Sequence, residues 1–520
     1  MTTTLTRSLA PNGRTDGAPR VLLIGVARTL DALVRQFEAV EAPVKIIGAA
    51  LFHDAPDDPV AQELGIPVLG SATELERLVG EHTIELAIVS LPAVMSEAIA
   101  AIRTTLRRLG IPDRFIATLD DQLAGVGPRS VFEVDIADLI DRSPHRVDEA
   151  SIRHAVGGKR VLITGAGGSI GSELARTIAR YGPSELFLME RSENALFEID
   201  RQIARSHPDL PRGAWLHDVT DDERTLGYLV AAKPQIILHA AAHKHVPMME
   251  DHPIEAVVNN FFGTKSIVDA AAQTACERFV MISTDKAVNP SSVMGATKRL
   301  AELYVQFMNQ RSDTRFSLVR FGNVLGSAGS VLPIWGDQLR HGGPLTVTDP
   351  RMTRFFMTIP EAAALVIQAA ALDELDHDSA IVPGGETLIL DMGKPISILE
   401  MAKRFIRAHG LEPIEAETRD RPRGADTMRI VFTGVRPGEK LHEELAYADE
   451  DLLPTAHPGI HIWKSTAPSE ERIGDLVATL EEVRQRGAPD LALNALSRLV
   501  PETTIPSTEI APRGRALHVA

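Results

Sequence analysis

Short apolar runs alternate with helical stretches in the first part of the chain. The runs at 20–26, 44–52 and 85–91 are rich in aliphatic and β-branched residues, and segments with helical spacing follow them. This alternation predicts parallel strands joined by helices. We therefore expect a Rossmann-like α/β domain at 18–145, after a disordered polar segment at 1–17. Its first turn lacks glycines for a phosphate, which favours a structural or regulatory role over a second nucleotide site.

A second α/β pattern begins at a glycine cluster. The apolar run 161–164 leads into Gly165, Gly168 and Gly171, and a helical pattern follows directly. In a dinucleotide site, these glycines permit a tight turn, a close approach of pyrophosphate and close packing of helix on sheet. The helix N-terminus adds unsatisfied N–H donors and partial positive charge. The spacing also fits an ordinary strand-to-helix turn. The contacts predicted at this turn are Gly165, Gly168, Ser169, Ile170 and Gly171.

The ends of the following strands favour a dinucleotide site. Glu190 ends the next apolar run, where a carboxylate can accept hydrogen bonds from both ribose hydroxyls of an adenosine. Arg191 follows and suits a 2′-phosphate, so NAD and NADP both stay open. NAD is favoured because the carboxylate would repel a phosphate. Asp218 is expected to accept a hydrogen bond from the adenine amino group. The Asn260 amide is expected to form hydrogen bonds with the backbone near the cofactor. The other predicted cofactor residues are Ser192, Val219, Ala240, Ala241, Ala242 and Lys298.

Composition narrows the class of protein. The chain has 520 residues, which suggests two or three domains, and 44% of them are hydrophobic. A net charge of −16 argues against a nucleic-acid partner. The chain has one cysteine, which excludes an internal disulfide and fits a reducing compartment. It lacks the apolar core of a signal peptide, and it has no apolar run long enough to span a bilayer. We therefore expect a cytoplasmic protein. His243 and His245 lack further metal ligands nearby, so we expect no metal site. Lys244 and His245 are expected to meet an anionic substrate.

Six segments carry a resemblance to a known family. In order over residues 150–450 they are TGAGGSIGSELAR, AAAHKHVPMME, STDKAVNPSSVMGATK, RFGNVLGSAGSVLP, DPRMTRFFMT and RPGEKLHEEL. The set resembles the extended short-chain dehydrogenase/reductases, and more narrowly the nucleotide-sugar 4,6-dehydratases of capsule and glycan synthesis. The resemblance implies a catalytic domain at 146–500, with an NAD-binding core at about 155–325 and a substrate lobe at about 326–465. The N-terminal domain resembles that of larger, membrane-anchored members. A tail at 501–520 is expected to be disordered.

One position departs from the superfamily pattern. Its usual Tyr-x-x-x-Lys has Met294 in place of the tyrosine, followed by Lys298. Methionine cannot transfer a proton, so another group must act as base. Here the chain is similar to the large dehydratases, which retain the C5 configuration. That likeness implies Asp285 as the acid for the C6 hydroxyl, Lys286 as the base at C5 and Thr284 near the C4 oxygen. Lys298 would hold the nicotinamide ribose. Asp285 also fits a simple turn cap.

The resemblance also implies how a nucleotide sugar is held. Asn323 would contact the diphosphate, the strand at Thr346 would read uracil, Arg354 and Arg436 would contact phosphate or ribose, and Glu439 would accept from ribose. The predicted substrate residues are Lys244, His245, Asn323, Ser330, Val331, Thr346, Arg354, Arg436 and Glu439.

The expected activity is dehydration of UDP-N-acetylglucosamine with a tightly held, recycled NAD. A 4-epimerase and a non-catalytic nucleotide-sugar sensor are the alternatives. The resemblance also implies a homodimer or higher homo-oligomer, with dimerisation through the long helix starting at Lys298.

Overall fold

The computed structural model describes most of the chain. The described residues are 19–39, 44–52, 64–92, 95–116, 139–140, 144–372, 387–409, 411–415, 427–447, 452–464 and 466–505. The expected disordered segment 1–17 lies outside them. The chain divides into a smaller unit built mainly on residues up to Asp135 and a larger unit built mainly on those after it. None of the described helices is both long and apolar enough to cross a membrane.

The smaller unit is a parallel α/β sheet, as the apolar runs predict. Its sheet order is β3-β2-β1-β4-β5, and every described pairing is parallel. Alternate residues of β1 face opposite sides, so Leu22 and Leu23 enter different cores. The elements are β1 (Arg20–Gly25), α1 (Ala27–Ala39), β2 (Lys45–Leu51), β3 (Val68–Ser71), α2 (Leu75–Glu81), β4 (Leu86–Ser90), α3 (Ser96–Arg108) and β5 (Asp113–Phe115).

The first half of the larger unit alternates strands and helices. Its elements are α4 (Glu149–Val156), β6 (Arg160–Thr164), α5 (Ser169–Arg180), β7 (Glu185–Glu190), α6 (Glu193–Ser206), β8 (Arg212–Leu216), α7 (Asp222–Ala232), β9 (Ile236–His239), α8 (Val246–Asp251), α9 (Pro253–Ala256), α10 (Gly263–Gln273), β10 (Arg278–Ile282), α11 (Val293–Asn309) and β11 (Arg315–Arg320). A π-helical stretch, Val257–Phe262, joins α9 to α10.

The second half carries short strands and the last helices. Its elements are β12 (Asn323–Leu325), α12 (Val331–Arg340), β13 (Leu345–Val347), β14 (Thr353–Arg354), β15 (Phe356–Thr358), α13 (Ile359–Ala371), β16 (Thr387–Leu390), β17 (Ile396–Ser397), α14 (Ile398–Ala408), β18 (Glu412–Glu415), β19 (Thr427–Phe432), β20 (Leu452–Pro454), β21 (Ile460–Trp463), α15 (Glu470–Arg486) and α16 (Pro489–Leu499).

The main sheet has nine strands in the order β20-β21-β16-β11-β10-β9-β6-β7-β8. The strands from β8 to β16 pair in parallel, whereas β21 and β20 are antiparallel additions. The strand order reverses between β6 and β9, and open α/β sheets bind ligands beyond the carboxyl ends of the strands at such a point. The fold class expected from the sequence is confirmed.

The proline, the charges and the glycines of residues 141–160 predict a linker into the catalytic domain, but part of this segment is helical. Residues 149–156 form α4, whose first turn is capped by Asp148 through hydrogen bonds from the backbone N–H groups of Ala150 and Ser151. Ile152 and Val156 are buried in the core on one face of the main sheet. The interpretation of the whole segment as a linker is therefore wrong, because two apolar residues four positions apart give α4 a face to bury.

Helix α11 lies inside the unit. All of its residues from Val293 to Gln306 are buried. Helices α15 and α16 pack against it, and Leu480 and Leu496 belong to the same core as Leu300. The expectation of a dimer through this helix is therefore wrong, because the C-terminal helices of the same chain cover its outer face.

The expected disordered tail is also shorter than 501–520. Ile505 is buried, and the backbone N–H of Thr504 donates to the carbonyl of Pro290 at 3.1 Å. Glu502 accepts from Arg299 at 3.1 Å. For 501–505 the expectation of disorder is wrong, because an apolar side chain and a carboxylate both find partners in the core. Residues 506–520 lie outside the described part of the chain.

A buried ion-pair cluster fixes the middle of α11. The carboxylate of Glu302 accepts from Arg320 at 2.7 and 2.6 Å and from Arg299 at 3.2 Å. It also accepts from the Ser283 hydroxyl at 2.7 Å. Burial alone would raise the pKa of Glu302, but Arg320, Arg299 and Ser283 lower it to about 2. The cluster ties α11 to the carboxyl ends of β10 and β11.

Truncating Leu480 to alanine tests the cover that α15 gives to α11. Leu480 is fully buried, so we expect a loss of about 2–5 kcal/mol in the free energy of unfolding. Leu216→Ala is the control, because Leu216 is 51% exposed, and it should cost below about 1 kcal/mol. Urea unfolding followed by tryptophan fluorescence reports the larger unit, which holds all three tryptophans. Equal losses in both variants would contradict the packing described.

Replacing Glu302 by glutamine tests the ion-pair cluster. The variant leaves the fully buried Arg320 without a counter-charge, so we expect a loss of about 3–5 kcal/mol near pH 7. Because the folded pKa of Glu302 lies below its ordinary value of 4.5, its stabilising contribution is present above about pH 4.5 and is lost as the pH falls toward 2. The gap in unfolding free energy between wild type and Glu302→Gln should therefore shrink on acidification. A constant gap from pH 7 to pH 3 would contradict this.

Candidate active site

Two adjoining cavities open beyond the carboxyl ends of the main-sheet strands. The larger has a volume of about 610 Å³ and the smaller about 270 Å³. Both touch Gly168 and the alanines after β9, so together they form one continuous cleft. The sequence-predicted residues that line the larger cavity are Gly168, Ser169, Ile170, Gly171, Ala240, Ala242, Lys244, His245, Thr284, Lys286, Met294, Lys298, Asn323, Ser330, Val331, Arg354 and Glu439. Those lining the smaller are Gly165, Gly168, Glu190, Arg191, Asp218, Val219, Ala240, Ala241 and Ala242.

The glycine turn brings α5 against the sheet. Gly165 has φ +64°, and a Cβ there would lie 2.7 Å from the backbone nitrogen of Ala241. A Cβ at Gly171 would lie 2.0 Å from the carbonyl oxygen of Gly165. Gly168 precedes α5 and offers no side chain to cap its first N–H groups. The turn thus presents free backbone donors in a place where a side chain would not fit, and it fits a pyrophosphate.

The smaller cavity carries a fixed carboxylate. Glu190 accepts from the backbone N–H groups of Gly167 at 3.1 Å and Ser192 at 3.0 Å. Each carboxylate oxygen can accept a further bond, so the group remains able to hold ribose hydroxyls. Arg191 donates to the Asn259 side chain at 3.2 Å and lies 3.8 Å from Asp218. Ser192, which was predicted to contact the cofactor, takes part in the site through its backbone N–H, which donates to the Glu190 carboxylate.

Asn260 supports the floor of the cleft. Its Oδ1 accepts from the backbone N–H of His243 at 2.8 Å, and its Nδ2 donates to the His243 carbonyl at 3.1 Å. Nδ2 also lies 3.1 Å from the Thr297 hydroxyl. The side chain is fully buried in the π-helical stretch. Asn260 therefore shapes the segment after β9 from inside the protein.

The turn after β10 holds the predicted acid and base. The Thr284 hydroxyl donates to Asp285 Oδ1 at 2.9 Å and accepts from the Lys286 backbone N–H at 3.3 Å. Thr284 is thus the cap of this 3₁₀ turn, so the alternative in which Asp285 is the cap is excluded. Asp285 is fully buried, and within the described chain its Oδ2 has no hydrogen-bond partner.

The ammonium group of Lys286 lies among side-chain oxygens that can accept hydrogen bonds. Its ammonium donates to Asp285 Oδ1 at 2.9 Å and to Asn323 Oδ1 at 3.0 Å, and it lies 3.8 Å from Glu443 Oε1. Burial lowers the pKa of Lys286, but the carboxylates of Asp285 and Glu443 outweigh burial and hold that pKa above its usual value. Lys286 is therefore a charged lysine at rest, with Asp285 as its direct partner.

The start of α11 forms the opposite wall. The Lys298 ammonium donates to the carbonyl of Ile282 at 2.7 Å, and burial lowers its pKa to about 8. Met294 lines the cavity one turn earlier. A Cβ at Gly295 would lie 2.2 Å from the Lys286 carbonyl oxygen, so this glycine lets α11 contact the turn after β10.

Loop 326–330 crosses the cleft. The Lys244 ammonium donates to the Ala328 carbonyl at 2.7 Å and to the Ser327 hydroxyl at 3.2 Å. The Ala328 N–H donates to the Ser169 hydroxyl at 3.1 Å. Lys244, which was predicted to meet an anion, therefore holds this loop over the glycine turn. A Cβ at Gly329 would lie 2.5 Å from the ring of His245.

Past the loop, α12 begins at Val331. The Ser330 hydroxyl before it is buried and has no hydrogen-bond partner in the described structure. No side chain caps the helix. A buried hydroxyl and free N–H groups at a helix start make a place for an anion in the larger cavity.

Three predicted substrate residues are used differently from the expectation. The guanidinium of Arg354 donates to the carbonyls of Thr353, Lys440 and Leu441. Thr346 does not line either described cavity. Its backbone N–H and carbonyl bind the side chains of Gln338 and Trp335, so these two groups already have partners, and recognition of uracil by this strand stays a prediction. Thr348, two residues later, lines the cavity instead. Arg436 is exposed and outside the lining of both cavities.

Glu443 is a buried residue at the site that the sequence analysis did not predict. It lies in the RPGEKLHEEL segment, from which only Arg436 and Glu439 were predicted. Its side chain is 3% exposed and lies 3.8 Å from both Lys286 Nζ and Arg354 Nε. No signal in the sequence separates it from its exposed neighbour Glu444.

Within the described residues, no group of three His, Cys, Asp or Glu side chains could hold a metal ion.

Comparison with known proteins places this site in a family. Residues 161–465 match the family model described as polysaccharide biosynthesis protein. The chain is 38% identical over 448 residues to the probable polysaccharide biosynthesis protein EpsC of Bacillus subtilis, covering 86% of this chain and 71% of that protein. It is 40% identical over 388 residues to the capsular polysaccharide biosynthesis protein CapD of Staphylococcus aureus, covering 74% of this chain but only 61% of that protein.

Relatives with named activities are more distant. A UDP-N-acetylglucosamine 4,6-dehydratase (inverting) of Campylobacter jejuni is 32% identical over 301 residues, which is 57% of this chain and 80% of that protein. A UDP-glucose 4-epimerase of Rickettsia rickettsii is 31% identical over 303 residues, which is 56% of this chain and 79% of that protein. With the strand order and the glycine turn, the family match shows that the chain belongs to the polysaccharide biosynthesis proteins of the extended short-chain dehydrogenase/reductase fold.

Proposed function

We propose that the chain is a nucleotide-sugar 4,6-dehydratase that keeps NAD and acts on UDP-N-acetylglucosamine with retention at C5. The observation that carries this proposal is the contact between Lys286, which lines the larger cavity, and Asp285, which is buried directly behind it. Dehydration needs an acid at O6 and a base at C5, whereas oxidation and reduction at C4 alone need neither. The dehydratase name among the relatives supports dehydration of this sugar nucleotide, although that relative is named as inverting and therefore does not support retention at C5.

Residues along the cleft suit the successive parts of a dinucleotide. The glycine turn suits the pyrophosphate, Glu190 the adenosine ribose, and Lys298 the nicotinamide ribose. When bound, the nicotinamide would accept hydride from sugar C4 and return it at C6. Loop 326–330, held by Lys244 and Ser169, lies across the glycine turn and would slow the loss of the cofactor. Such retention matters for a reaction that uses and restores the cofactor in each turnover.

Thr284 and Asp285 form a path for the O4 proton. The Thr284 hydroxyl already donates to Asp285 Oδ1, so it can accept from sugar O4 and pass its own proton to Asp285. Met294 cannot do this, although it stands where the superfamily has tyrosine. The O4 proton then makes Asp285 a neutral acid, which is the form needed to protonate the leaving O6 hydroxyl. The charged Lys298 nearby favours loss of the O4 proton.

Lys286 removes the C5 proton in this proposal. The C4 ketone makes that proton acidic, and a lysine in its neutral form is a suitable base. Asp285 delivers a proton to O6, which departs as water. Lys286 returns its proton to C5 from the same face, so the configuration is retained. The anion site at Ser330 and the start of α12 would hold the diphosphate of the substrate.

Epimerisation at C4 is the second candidate, because relatives with that name match at similar identity. An epimerase leaves C5 and C6 untouched, so it gives no use to a buried Asp–Lys pair. A nucleotide-sugar sensor would not need the Asp285–Lys286 pair either.

Assembly with a second copy and a cytoplasmic location stay predictions.

Proton NMR of the purified protein with UDP-N-acetylglucosamine in D₂O tests the function. We expect a new C6 methyl signal and deuterium at C5, without added cofactor. A change at C4 with C6 intact would assign epimerisation instead. Binding of the sugar nucleotide with no turnover would favour the sensor.

Substitution of the pair should separate the two proton transfers. We expect Lys286→Met to lower kcat by about 10²–10⁴-fold and to abolish deuterium incorporation at C5. Asp285→Asn should lower product formation by a similar factor, because O6 loses its acid. Lys159→Met is the control, since Lys159 is partly exposed and pairs with Glu277. Both residues directly precede a strand of the main sheet, at the end opposite to the turn after β10. Full activity in Lys286→Met would remove the proposed base.

Glu190 should set the choice between NAD and NADP. Its carboxylate, fixed by two backbone N–H groups, would repel a 2′-phosphate. We expect the cofactor-stripped wild type to prefer NAD, and Glu190→Ser to reduce that preference at least about tenfold, as the neighbouring Arg191 becomes available for phosphate. Reconstitution with each dinucleotide, followed by fluorescence titration, measures both affinities. An unchanged ratio would show that Glu190 does not select the cofactor.

A further inference from the structure

Glu443 is a buried carboxyl group next to the proposed base. Its Oε1 lies 3.8 Å from Lys286 Nζ, which is longer than a hydrogen bond but within reach of a small side-chain rotation. Its Oε2 is buried and, in the described structure, has no hydrogen-bond partner. Arg354 lies on its other side at 3.8 Å. Lys286 and Arg354 line the cavity, and Glu443 contacts both from within the protein.

The proposed reaction must hold two protons at once. Lys286 begins as an ammonium and must lose one proton before it can act as a base. Oxidation at C4 releases a second proton from O4. Asp285 receives the O4 proton through Thr284, so it cannot also hold the proton of Lys286. Met294 stands in place of tyrosine, and among the described residues the second carboxyl group within 4 Å of the Lys286 ammonium is that of Glu443.

We propose that Glu443 is a positioning residue that holds the Lys286 proton during turnover. This inference rests on the proposed function. In the first step the N–H bond of the Lys286 ammonium breaks and an O–H bond forms on the Glu443 carboxylate. Lys286 then takes the C5 proton while Asp285 gives its proton to O6, which leaves as water. Lys286 returns a proton to C5, and Glu443 finally returns its proton to Lys286. The three side chains end as they began, and no external proton donor is used.

The charges around Glu443 suit this role. Lys286, Arg354 and Lys440 face it as cations, and Asp285 faces it as an anion. Burial, followed by the charge of Asp285, raises the pKa of Glu443 above its usual range, although the cations oppose this. A carboxyl group with a raised pKa accepts a proton from its neighbour more readily than an exposed one.

The test compares the pH dependence of kcat in Glu443→Gln with that of wild type. Glutamine keeps the shape but cannot take a proton, so Lys286 must lose its proton to bulk water. We expect kcat at pH 7 to fall about a hundredfold or more, and to rise nearly tenfold per pH unit up to about pH 8, as for a lysine below its pKa. Wild type should instead level off above the pKa of Glu443. KM should stay unchanged in both.

The controls separate this role from a structural one. Glu444→Gln removes the neighbouring carboxylate, which binds Asn289 and Lys440 and is half exposed, and it should keep the wild-type profile. Glu443→Asp keeps a carboxyl group and should also keep that profile, at a lower kcat. It serves as the test if Glu443→Gln does not fold. A Glu443→Asp profile that rises tenfold per pH unit would then overturn the proposal.

The remaining outcomes are distinct. A Glu443→Gln variant that is slower by the same factor at every pH would overturn the proton-holding role and leave the dehydratase intact. A Glu443→Gln variant as active as wild type would do the same. If wild type and Glu444→Gln both fail to make the 4-keto-6-deoxy sugar, the proposed function itself fails, and the role of Glu443 falls with it.

Discussion

The contact between the Lys286 ammonium and the Asp285 carboxylate is the interaction on which the site depends. Asp285 is fully buried, and an isolated charge in such a place would be costly. The pair is stable because Asn323, Glu443 and the Thr284 hydroxyl lie around it, each from a different segment. Asn323 and Glu443 come from segments later in the chain, so the geometry of the turn after β10 depends on where those segments pack.

Packing of α11 against that turn is the second constraint. Gly295 permits the helix to touch the Lys286 carbonyl, and Glu302 binds Ser283 directly before the turn. Both contacts come from one helix, whose residues are buried and against which α15 and α16 pack. The C-terminal helices therefore stabilise the site from a distance, because a shift of α11 would move Lys298 and the turn together.

Local patterns of sequence predict the framework well. Apolar runs and glycine spacing give both parallel sheets and the glycine turn, because these features depend on residues close together in the chain. The same patterns fail where burial depends on distant segments. Residues 149–156 carry the charge of a linker but bury Ile152 and Val156, and Ile505 finds a place on a core formed elsewhere. The long helix was expected to offer a dimer surface, yet residues nearly two hundred positions later cover it.

In the candidate site too, local motifs predict some features, and contacts between distant segments determine the others. The glycines and the Thr284–Lys286 turn follow from motifs, whereas the roles of Lys244, Thr346 and Arg354 depend on contacts that no motif records. Arg354 suits a phosphate by its chemistry, but its donors bind carbonyls of the segment that carries Glu443. That segment is thereby fixed against Lys286. The absence of tyrosine at position 294 removes one proton acceptor from the pattern of the superfamily, and the buried carboxyl group at 443 lies where a replacement is needed. Two glutamates in succession look alike in sequence, and only the fold separates the buried one from the exposed one.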